Sequence, residues 1–530
     1  MSDARTRPKT IVLAAILGVA LVAGAWMFQR GVSSVKVNGN RLFAQVRSAV
    51  REEYVDTVTD ARAYQLAIDG MLTELNDPYD AYLTPDRANR LAEGASGSYA
   101  GIGLQVDVRD ASLVVINPLP GGPGERAGIL TGDRISQIDG KTVTGWTAEE
   151  VQRLLRGAAG SVVRISILHP GAATPVTLSL TRAAIHHSAI KRAALLPGNV
   201  GYVALSVFSD STARDLAAAV DSLVKLGATS LALDLRANPG GLLDQGVAVA
   251  DLFLNRGDRV ASTSGREPAD DRVFIDSVPQ RWPALTLAVL VDNKSASAAE
   301  IVAGALQDHD RAALLGMTTY GKGSVQRVFP VAAGGALRLT TARWLTPLGR
   351  YISRPPPRSG SDVPDTEPPR PKYRTPGGRT VLGGGGISPD VMIPDTVAPA
   401  ENLAFMRALG AGVAHFHDAI TGYALELKGR GDVKSPDFVV TKGMLDEIYR
   451  RMQARAVEVP RSTYDAAAPL VSRLFSYEVA RYVLGADAEF RRRAADDTVL
   501  IAAEHLLIAS HSQADALRRA GDMQRARPRE

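Results

Sequence analysis

The stretch Leu285-Thr286-Leu287-Ala288-Val289-Leu290-Val291, followed at once by Asp292-Asn293-Lys294-Ser295-Ala296-Ser297-Ala298-Ala299-Glu300, decides how this chain folds. A short, nearly continuous apolar run reads as a strand buried on both faces, and the helical periodicity of Ala298 to Leu306 reads as the crossover helix that follows it. Two further runs, Gly201 to Val207 and Ser230 to Leu235, repeat the pattern with helices over Ala213 to Leu226 and Gln245 to Leu254. Such alternation predicts an α/β core whose sheet is covered on both faces.

Outward from that core the texture changes in both directions. Toward the amino terminus, the short β-like runs Ile102 to Val108, Ser112 to Ile116, Arg134 to Ile138 and Val162 to Leu168, with one helical segment at Ala148 to Leu155, predict a small, mostly β module. A Gly/Ser-rich stretch from Glu93 to Ser98 marks its start. Before it, Val37 to Tyr54 and Ala61 to Leu75 carry helical spacing, and Pro78 and Pro85 end the pattern. Toward the carboxyl terminus, seven prolines between Arg354 and Lys372 predict an exposed, stiff insertion. From about Glu401 the chain is helical again, over Leu403 to Leu427, Gly443 to Arg455 and Val479 to Leu507. The expected organisation of this mixed α/β multidomain chain is a signal or anchor over 1–36, a helical region over 37–95, the β module over 96–183, the core over 184–400 with its insertion at 354–372, and a helical tail over 401–530. Tail positions such as Leu470, Leu474, Val479 and Val483 are too numerous for a solvated spacer, so burial against the core or a second subunit is expected.

The amino terminus speaks to compartment. Arg5, Arg7 and Lys9 precede the apolar run Ile11 to Phe28, which Gln29 and Arg30 close. This is an export signal. Ala23-Gly24-Ala25 offers a cleavage site, yet the run continues past it and is long enough to span a bilayer, so a cleaved signal and an uncleaved inner-membrane anchor at 11–28 both fit. Either reading places the rest of the chain in the periplasm or outside the cytoplasm.

Composition removes several classes of function. Lys and Arg number 61 against 56 Asp and Glu, and a net charge of +5 over 530 residues gives no basic field for nucleic acid. The chain has no cysteine, which removes a thiol nucleophile, iron–sulfur ligation, cysteine zinc sites and disulfides. There is no G-x-S-x-G elbow and no H-E-x-x-H, and Ser33-Ser34-Val35-Lys36 lacks the K-T-G partner of penicillin-recognising enzymes. Asp308-His309-Asp310 suggests a triad, but it lies at the far end of the helix that follows Ser297, ~15 Å away at 1.5 Å per residue. Neither this group nor His186, His187, His415 and His417 forms a ligand pattern, so no metal and no cofactor is expected.

Three constellations carry candidate chemistry. Strand Ser230 to Leu235 empties into Arg236-Ala237-Asn238-Pro239-Gly240-Gly241, a turn that presents backbone N–H groups at the carboxyl edge of a sheet. Ser297 stands at the positive end of a helix, where developing negative charge is favoured. Lys322, between Gly321 and Gly323, has little competition for space, and Gln326 follows at i+4. Each also has an ordinary reading: a plain turn, an N-cap at Ser295 or Ser297 with Glu300 as its capping-box partner, and a solvated lysine.

Together the motifs Asp234-Leu235-Arg236-Ala237-Asn238-Pro239-Gly240-Gly241-Leu242, Ser295-Ala296-Ser297-Ala298-Ala299-Glu300-Ile301 and Gly321-Lys322-Gly323-Ser324-Val325-Gln326 resemble the core of the carboxyl-terminal processing, or tail-specific, serine proteases. The resemblance implies Ser297 as nucleophile, Lys322 as base and Gln326 as the amide that orients it, with Gly241 and Ala298 N–H groups forming an oxyanion hole. Asn76-Asp77-Pro78-Tyr79-Asp80-Ala81-Tyr82-Leu83 resembles the family's link into its PDZ domain. Gly101-Ile102-Gly103-Leu104, Gly132-Asp133-Arg134-Ile135 and Ile138-Asp139-Gly140 are similar to that PDZ domain, which implies capture of peptide carboxyl termini by strand addition. Arg156 of Leu154-Leu155-Arg156-Gly157 matches an arginine that couples peptide binding to catalysis. The implied protein is an endopeptidase acting on exported proteins, with terminal helices available for self-association or an adaptor; the alternative is a PDZ-bearing scaffold without catalysis. The proline-rich insertion and the tail after 400 match no family motif.

Overall fold

Local signals open each element of the amino-terminal region. The Asn38 side chain accepts the N–H groups of Asn40 and Arg41 and starts α1 (Gly39–Glu53), and Thr59 accepts from Arg62 to start α2 (Asp60–Glu74). The link that follows yields the short β1 (Ala81–Leu83), then α3 (Pro85–Ser96), which stops at Gly97 with φ +64° in the left-handed region. A further strand, β2 (Ser98–Gly101), leads into the β module. In this computed structural model the residues described are 38–109, 112–186, 188–354, 369–394 and 399–526. The apolar run at 11–28 and most of the proline-rich insertion lie outside them; among the described residues no helix is long and apolar enough to cross a membrane.

The module comprises β3 (Leu104–Arg109), β4 (Ser112–Pro118), α4 (Pro123–Arg126), β5 (Arg134–Ile138), β6 (Lys141–Thr142), α5 (Ala148–Leu155), β7 (Val162–Leu168) and β8 (Val176–Thr181). Its antiparallel sheet runs β3-β4-β5-β7-β8, with β6 beside β5. Inward residues Val115, Ile129, Ile138, Val151, Val163 and Ile165 are fully buried, each contributing about 1.5–3 kcal/mol by leaving water. A capping box between Thr147 and Glu150 fixes the start of α5. The next strand, β9 (Ala183–His186), pairs with β2 and closes the module as a two-stranded ribbon.

The core follows as β10 (Ile190–Leu196), β11 (Val200–Leu205), α6 (Thr212–Lys225), β12 (Ser230–Asp234), α7 (Leu243–Asp251), β13 (Arg259–Gly265), β14 (Arg272–Ile275), β15 (Thr286–Val291), α8 (Ala298–Asp308) and β16 (Ala313–Gly316). It ends with β17 (Ser324–Pro330), β18 (Ala336–Leu345), β19 (Lys372–Arg374), β20 (Thr380–Leu382) and β21 (Val391–Met392). The main sheet has the order β10-β11-β12-β15-β16-β21, parallel except for β10. Its period-2 alternation sends successive side chains to opposite faces: Val203, Leu233 and Val289 face α6, α7 and α8, while Ala204, Ala232 and Ala288 face the other way. A second, antiparallel sheet is built on β18, which pairs with β1, β13 and β17. The amino-terminal link thus becomes a strand of the core.

The tail follows as α9 (Ala400–Leu409), α10 (Val413–Arg430), α11 (Lys442–Gln453), α12 (Arg461–Ala466), α13 (Ala468–Val479), a π turn at Ala480–Leu484, α14 (Ala486–Ala495), α15 (Thr498–Ala509) and α16 (Gln513–Ala526), of which α14 to α16 cover the far face of the main sheet. Leu500, Ala503, Leu506 and Leu507 of α15 and Ala520 of α16 pack onto Ala232, Ala288 and Leu290. The four tail positions expected to bury against the core or a second subunit do neither: Val479 is buried, and Leu470, Leu474 and Val483 pack, in an apolar cluster the tail helices form among themselves, which also takes in Val114 and Ile116 of the β module. Two helices expected to be continuous are interrupted. Leu403 to Leu427 breaks at Gly410, whose φ is +47°, and Val479 to Leu507 breaks at Gly485, with φ +91°, and again where Asp497 accepts the Leu500 N–H at 3.0 Å to cap α15. Helix α10 also braces the β module, since Val114 joins the tail's apolar cluster and Lys428 Nζ donates to the Thr131 carbonyl at 2.5 Å.

Candidate active site

The turn after β12 is pinned from four sides. Asn238, fully buried, donates to the Leu205 carbonyl at 3.0 Å, accepts the Gly240 N–H at 2.9 Å, and through its own carbonyl accepts the Ala296 N–H at 2.9 Å. The Ala237 N–H donates to the Asp292 carboxylate at 3.0 Å. Gly240 and Gly241 are required: their φ values are +90° and +150°, and a Cβ on Gly240 would sit 2.7 Å from Ser297 Cβ and 2.9 Å from the Ala298 nitrogen. The turn therefore lies directly against the Ser297–Ala298 peptide. Neither the Gly241 nor the Ala298 N–H donates to a protein group among the described residues, leaving two donors beside the serine.

Below the turn, Arg236 is clamped between Asp234, at 2.6 Å, and the helix-capping Asp497, also at 2.6 Å, which ties the tail to this loop. These two carboxylates hold the guanidinium pKa above its usual value in spite of burial. Tyr202 adds a hydrogen bond to Asp234 at 2.8 Å.

Ser297 sits at the start of α8 with φ +56° and ψ −117°, a conformation that costs a non-glycine residue of order 1–3 kcal/mol and persists only where the surroundings enforce it. Ser295 supplies part of that enforcement, since its buried hydroxyl donates to the Leu235 carbonyl at 2.8 Å. Ser295 is therefore a staple between two loops. The expected capping box between Ser297 and Glu300 is present, with Glu300 Oε2 accepting the Ser297 N–H at 2.8 Å.

Glu300 does more than cap. It is fully buried, and its carboxylate also accepts the Thr319 hydroxyl, the Gly321 N–H at 2.7 Å and the Lys322 N–H at 2.8 Å. One carboxylate thus ties the peptide of the candidate nucleophile to that of the candidate base. Burial raises its pKa above the usual carboxylate range, against the opposing pull of the four N–H and O–H donors it accepts. Gly321, with φ +87°, approaches the Gly386 nitrogen so closely that a Cβ would sit 3.0 Å away, and Trp344 Nε1 donates to the Lys322 carbonyl at 2.9 Å.

The Lys322 side chain is half-buried, and its Nζ lies 4.6 Å from the centre of the Tyr79 ring. Desolvation, aided by the nearby Arg338 charge, lowers its pKa, against the opposing pull of Glu300 and Asp77. That is the direction a lysine base needs. Gln326 does not orient Lys322 in this structure: a bulge between Val325 and Gln326 turns its amide to Ser324 Oγ, at 2.9 Å, and Thr340 Oγ1, at 3.1 Å.

The PDZ-like residues lie apart from this centre. Ile102, Gly103 and Leu104 line one wall of a cleft of about 440 Å³, with Leu155 and Arg156 opposite and α3 closing one side, whereas Gly101, expected to share that role, is buried at the end of β2 and does not line it. Arg156 stacks over Tyr99, 4.9 Å from its ring centre, and pairs with Glu93 of α3 rather than with a catalytic loop. Contact with the core continues indirectly: the Asp210 N–H donates to the Ala95 carbonyl at 2.9 Å, and Phe208 bonds both Gly240 and Leu242. His309 Nε2 donates to the Arg259 carbonyl at 2.7 Å while Asp308 pairs with Arg350, so that group is structural. Among the described residues no cluster of metal-ligating side chains is present. Sequence reading missed Tyr79 as a neighbour of Lys322, Asp497 as a partner of Arg236 and the reach of Glu300; the Glu300 spacing was visible only as a cap.

The chain is similar to known proteins over much of its length. Residues 199–357 match the model of peptidase family S41, residues 114–168 a PDZ domain, and residues 30–87 the amino-terminal domain of the activating protease CtpB. The carboxy-terminal-processing protease of Bartonella bacilliformis is 39% identical over 314 residues, covering 58% of this chain and 71% of that protein. The carboxy-terminal processing protease CtpA of Bacillus subtilis is 33% identical over 361 residues, covering 66% of this chain and 77% of that protein. Among solved structures, a photosystem II D1 C-terminal processing protease is 31% identical with a TM-score of 0.36, covering 71% of this chain and 99% of that one. On the strength of these motifs and relatives, the chain belongs to peptidase family S41, the carboxy-terminal-processing proteases.

Proposed function

We propose that the chain is an endopeptidase with a Ser297–Lys322 dyad that takes exported proteins by their carboxyl termini. Ser297 Oγ attacks the scissile carbonyl, neutral Lys322 accepts its proton and returns it to the leaving amine, and water then hydrolyses the acyl-enzyme. The Gly241 and Ala298 N–H groups receive the oxyanion, and Gln326 turns toward Lys322 when the site is engaged. The observation that carries this reading is the Glu300 carboxylate, which binds the Ser297 and Lys322 N–H groups at 2.8 Å each and so fixes the two loops to one another.

Recognition falls to the Ile102-Gly103-Leu104 loop, whose edge strand accepts a peptide and its terminal carboxylate, with Arg156 and Glu93 passing occupancy on to α3 and the core. Residues 11–28 hold the protein at the inner membrane with its catalytic part in the periplasm. The exposed apolar face of α1 and α2, including Leu42, Val46 and Met71, serves self-association or an adaptor. Turnover of a peptide with an apolar carboxyl terminus tests the assignment. Wild type should cleave it, and Ser297→Ala and Lys322→Ala should not; unimpaired cleavage by Lys322→Ala would remove the dyad.

A further inference from the structure

We propose that Tyr79 is a positioning residue for the base: its ring face is the resting place of the Lys322 ammonium, which the lysine leaves as a neutral amine to reach Ser297. The inference rests on the dyad reading above. Lys322 Nζ stands 4.6 Å from the Tyr79 ring centre and makes no hydrogen bond or ion pair among the described residues, so the ring is its one directional partner. The negative face of an aromatic ring attracts an ammonium and does little for a neutral amine. Tyr79 therefore favours the protonated, resting form.

Every charged or titratable neighbour of the pair is identifiable. Asp77, from the same link, and Glu300, from α8, favour the cation; Arg338, from β18, and burial oppose it. Tyr320 neighbours the Tyr79 hydroxyl, and burial with that neighbour pushes the Tyr79 phenol pKa up, so the ring stays neutral wherever the lysine titrates. The backbone that carries the ring is held firmly. Arg338 Nε donates to the Tyr79 carbonyl at 2.8 Å, the Thr340 N–H donates to Asp80 at 2.7 Å, and β1 pairs with β18 immediately afterwards. The resting position of the base is thus set by the amino-terminal link rather than by the catalytic loops.

The test is the pH dependence of kcat/KM for a model peptide, measured on the full chain for wild type, Tyr79→Phe and Tyr79→Leu, with Lys322→Ala alongside. Because the lysine acts only when neutral, activity rises with pH through its pKa, and removing a group that favours the cation lowers that pKa. Tyr79→Leu should move the acid limb about one pH unit lower with KM little changed, and Tyr79→Phe, which keeps the ring, should leave the limb in place. If Tyr79→Leu does not fold, as judged by thermal melting, Tyr79→Met replaces it with the same expectation. An unmoved limb in the leucine or methionine variant, or an equal shift in Tyr79→Phe, overturns the inference. An active Lys322→Ala enzyme would instead overturn the dyad reading beneath it.

Discussion

Replacing Glu300 by Gln probes the joint between the two catalytic loops with almost no change in shape. The carboxylate now accepts four hydrogen bonds, from Ser297, Thr319, Gly321 and Lys322. A glutamine amide has one oxygen, which serves two of these donors, and an NH2 group that confronts the other two. Hydrogen bonds to a charged acceptor are each worth about 1.5–3 kcal/mol, so losing two and burying unpaired donors should cost about 3–5 kcal/mol. The strained Ser297 backbone relaxes with them, and a displacement of about 1 Å at a reacting atom lowers the rate by about a hundredfold. Chemical denaturation should show the loss of stability, and steady-state kinetics should show kcat falling about a hundredfold or more with KM nearly constant. A Glu300→Gln enzyme with wild-type kcat and wild-type stability would refute the argument that this carboxylate sets the geometry.

Other outcomes follow from separate parts of the molecule. A peptide ending in a free carboxylate should compete for the PDZ cleft at least tenfold better than its amide in a fluorescence binding assay on the full chain, and equal affinity would remove the strand-addition reading. Asp251 has its pKa pushed up to about 7 by burial and by the adjacent Asp276 charge, so the folded state holds a proton that the unfolded state releases from about pH 4 upward, and stability falls across that interval. Discounted for its partial exposure, the effect is about 1–2 kcal/mol; Asp251→Asn should raise Tm over wild type at pH 8 and leave it unchanged at pH 4, as calorimetry would show. Asp497→Asn keeps a helix cap but weakens the clamp on Arg236, and should cost about 2 kcal/mol in denaturation and lower kcat several-fold. Unchanged kinetics in that variant would detach the tail from the active-site loop.

Much of this was legible from sequence because the signals were local. Leu285 to Val291 emptying into Ser297, and glycines flanking Lys322, place a strand end, a helix start and a tight loop within a few residues of the groups that matter. What escaped was long-range. Glu300 reads as a cap from spacing alone, and only the fold carries residues 319 to 322 onto its other oxygens. Tyr79 reaches Lys322 because β1 joins β18, a pairing no local pattern announces. Gln326 at i+4 suggested a shared side with Lys322, yet one bulge redirected its amide. In the tail, helical periodicity ran straight through Gly410 and Gly485, whose positive φ values end the helices, and nothing in its composition distinguished packing on the far face of the core sheet from packing on another subunit.

The central claim is that Ser297 forms a covalent acyl-enzyme with Lys322 as its base. The most direct measurement is intact-mass and peptide-mapping spectrometry after acid quench of the full chain during turnover of a peptide ester. Wild type should carry one acyl group on the tryptic peptide containing Ser297, and Lys322→Ala and Ser297→Ala should carry none. An acyl group on another residue, or equal labelling of the Lys322→Ala protein, would contradict the account.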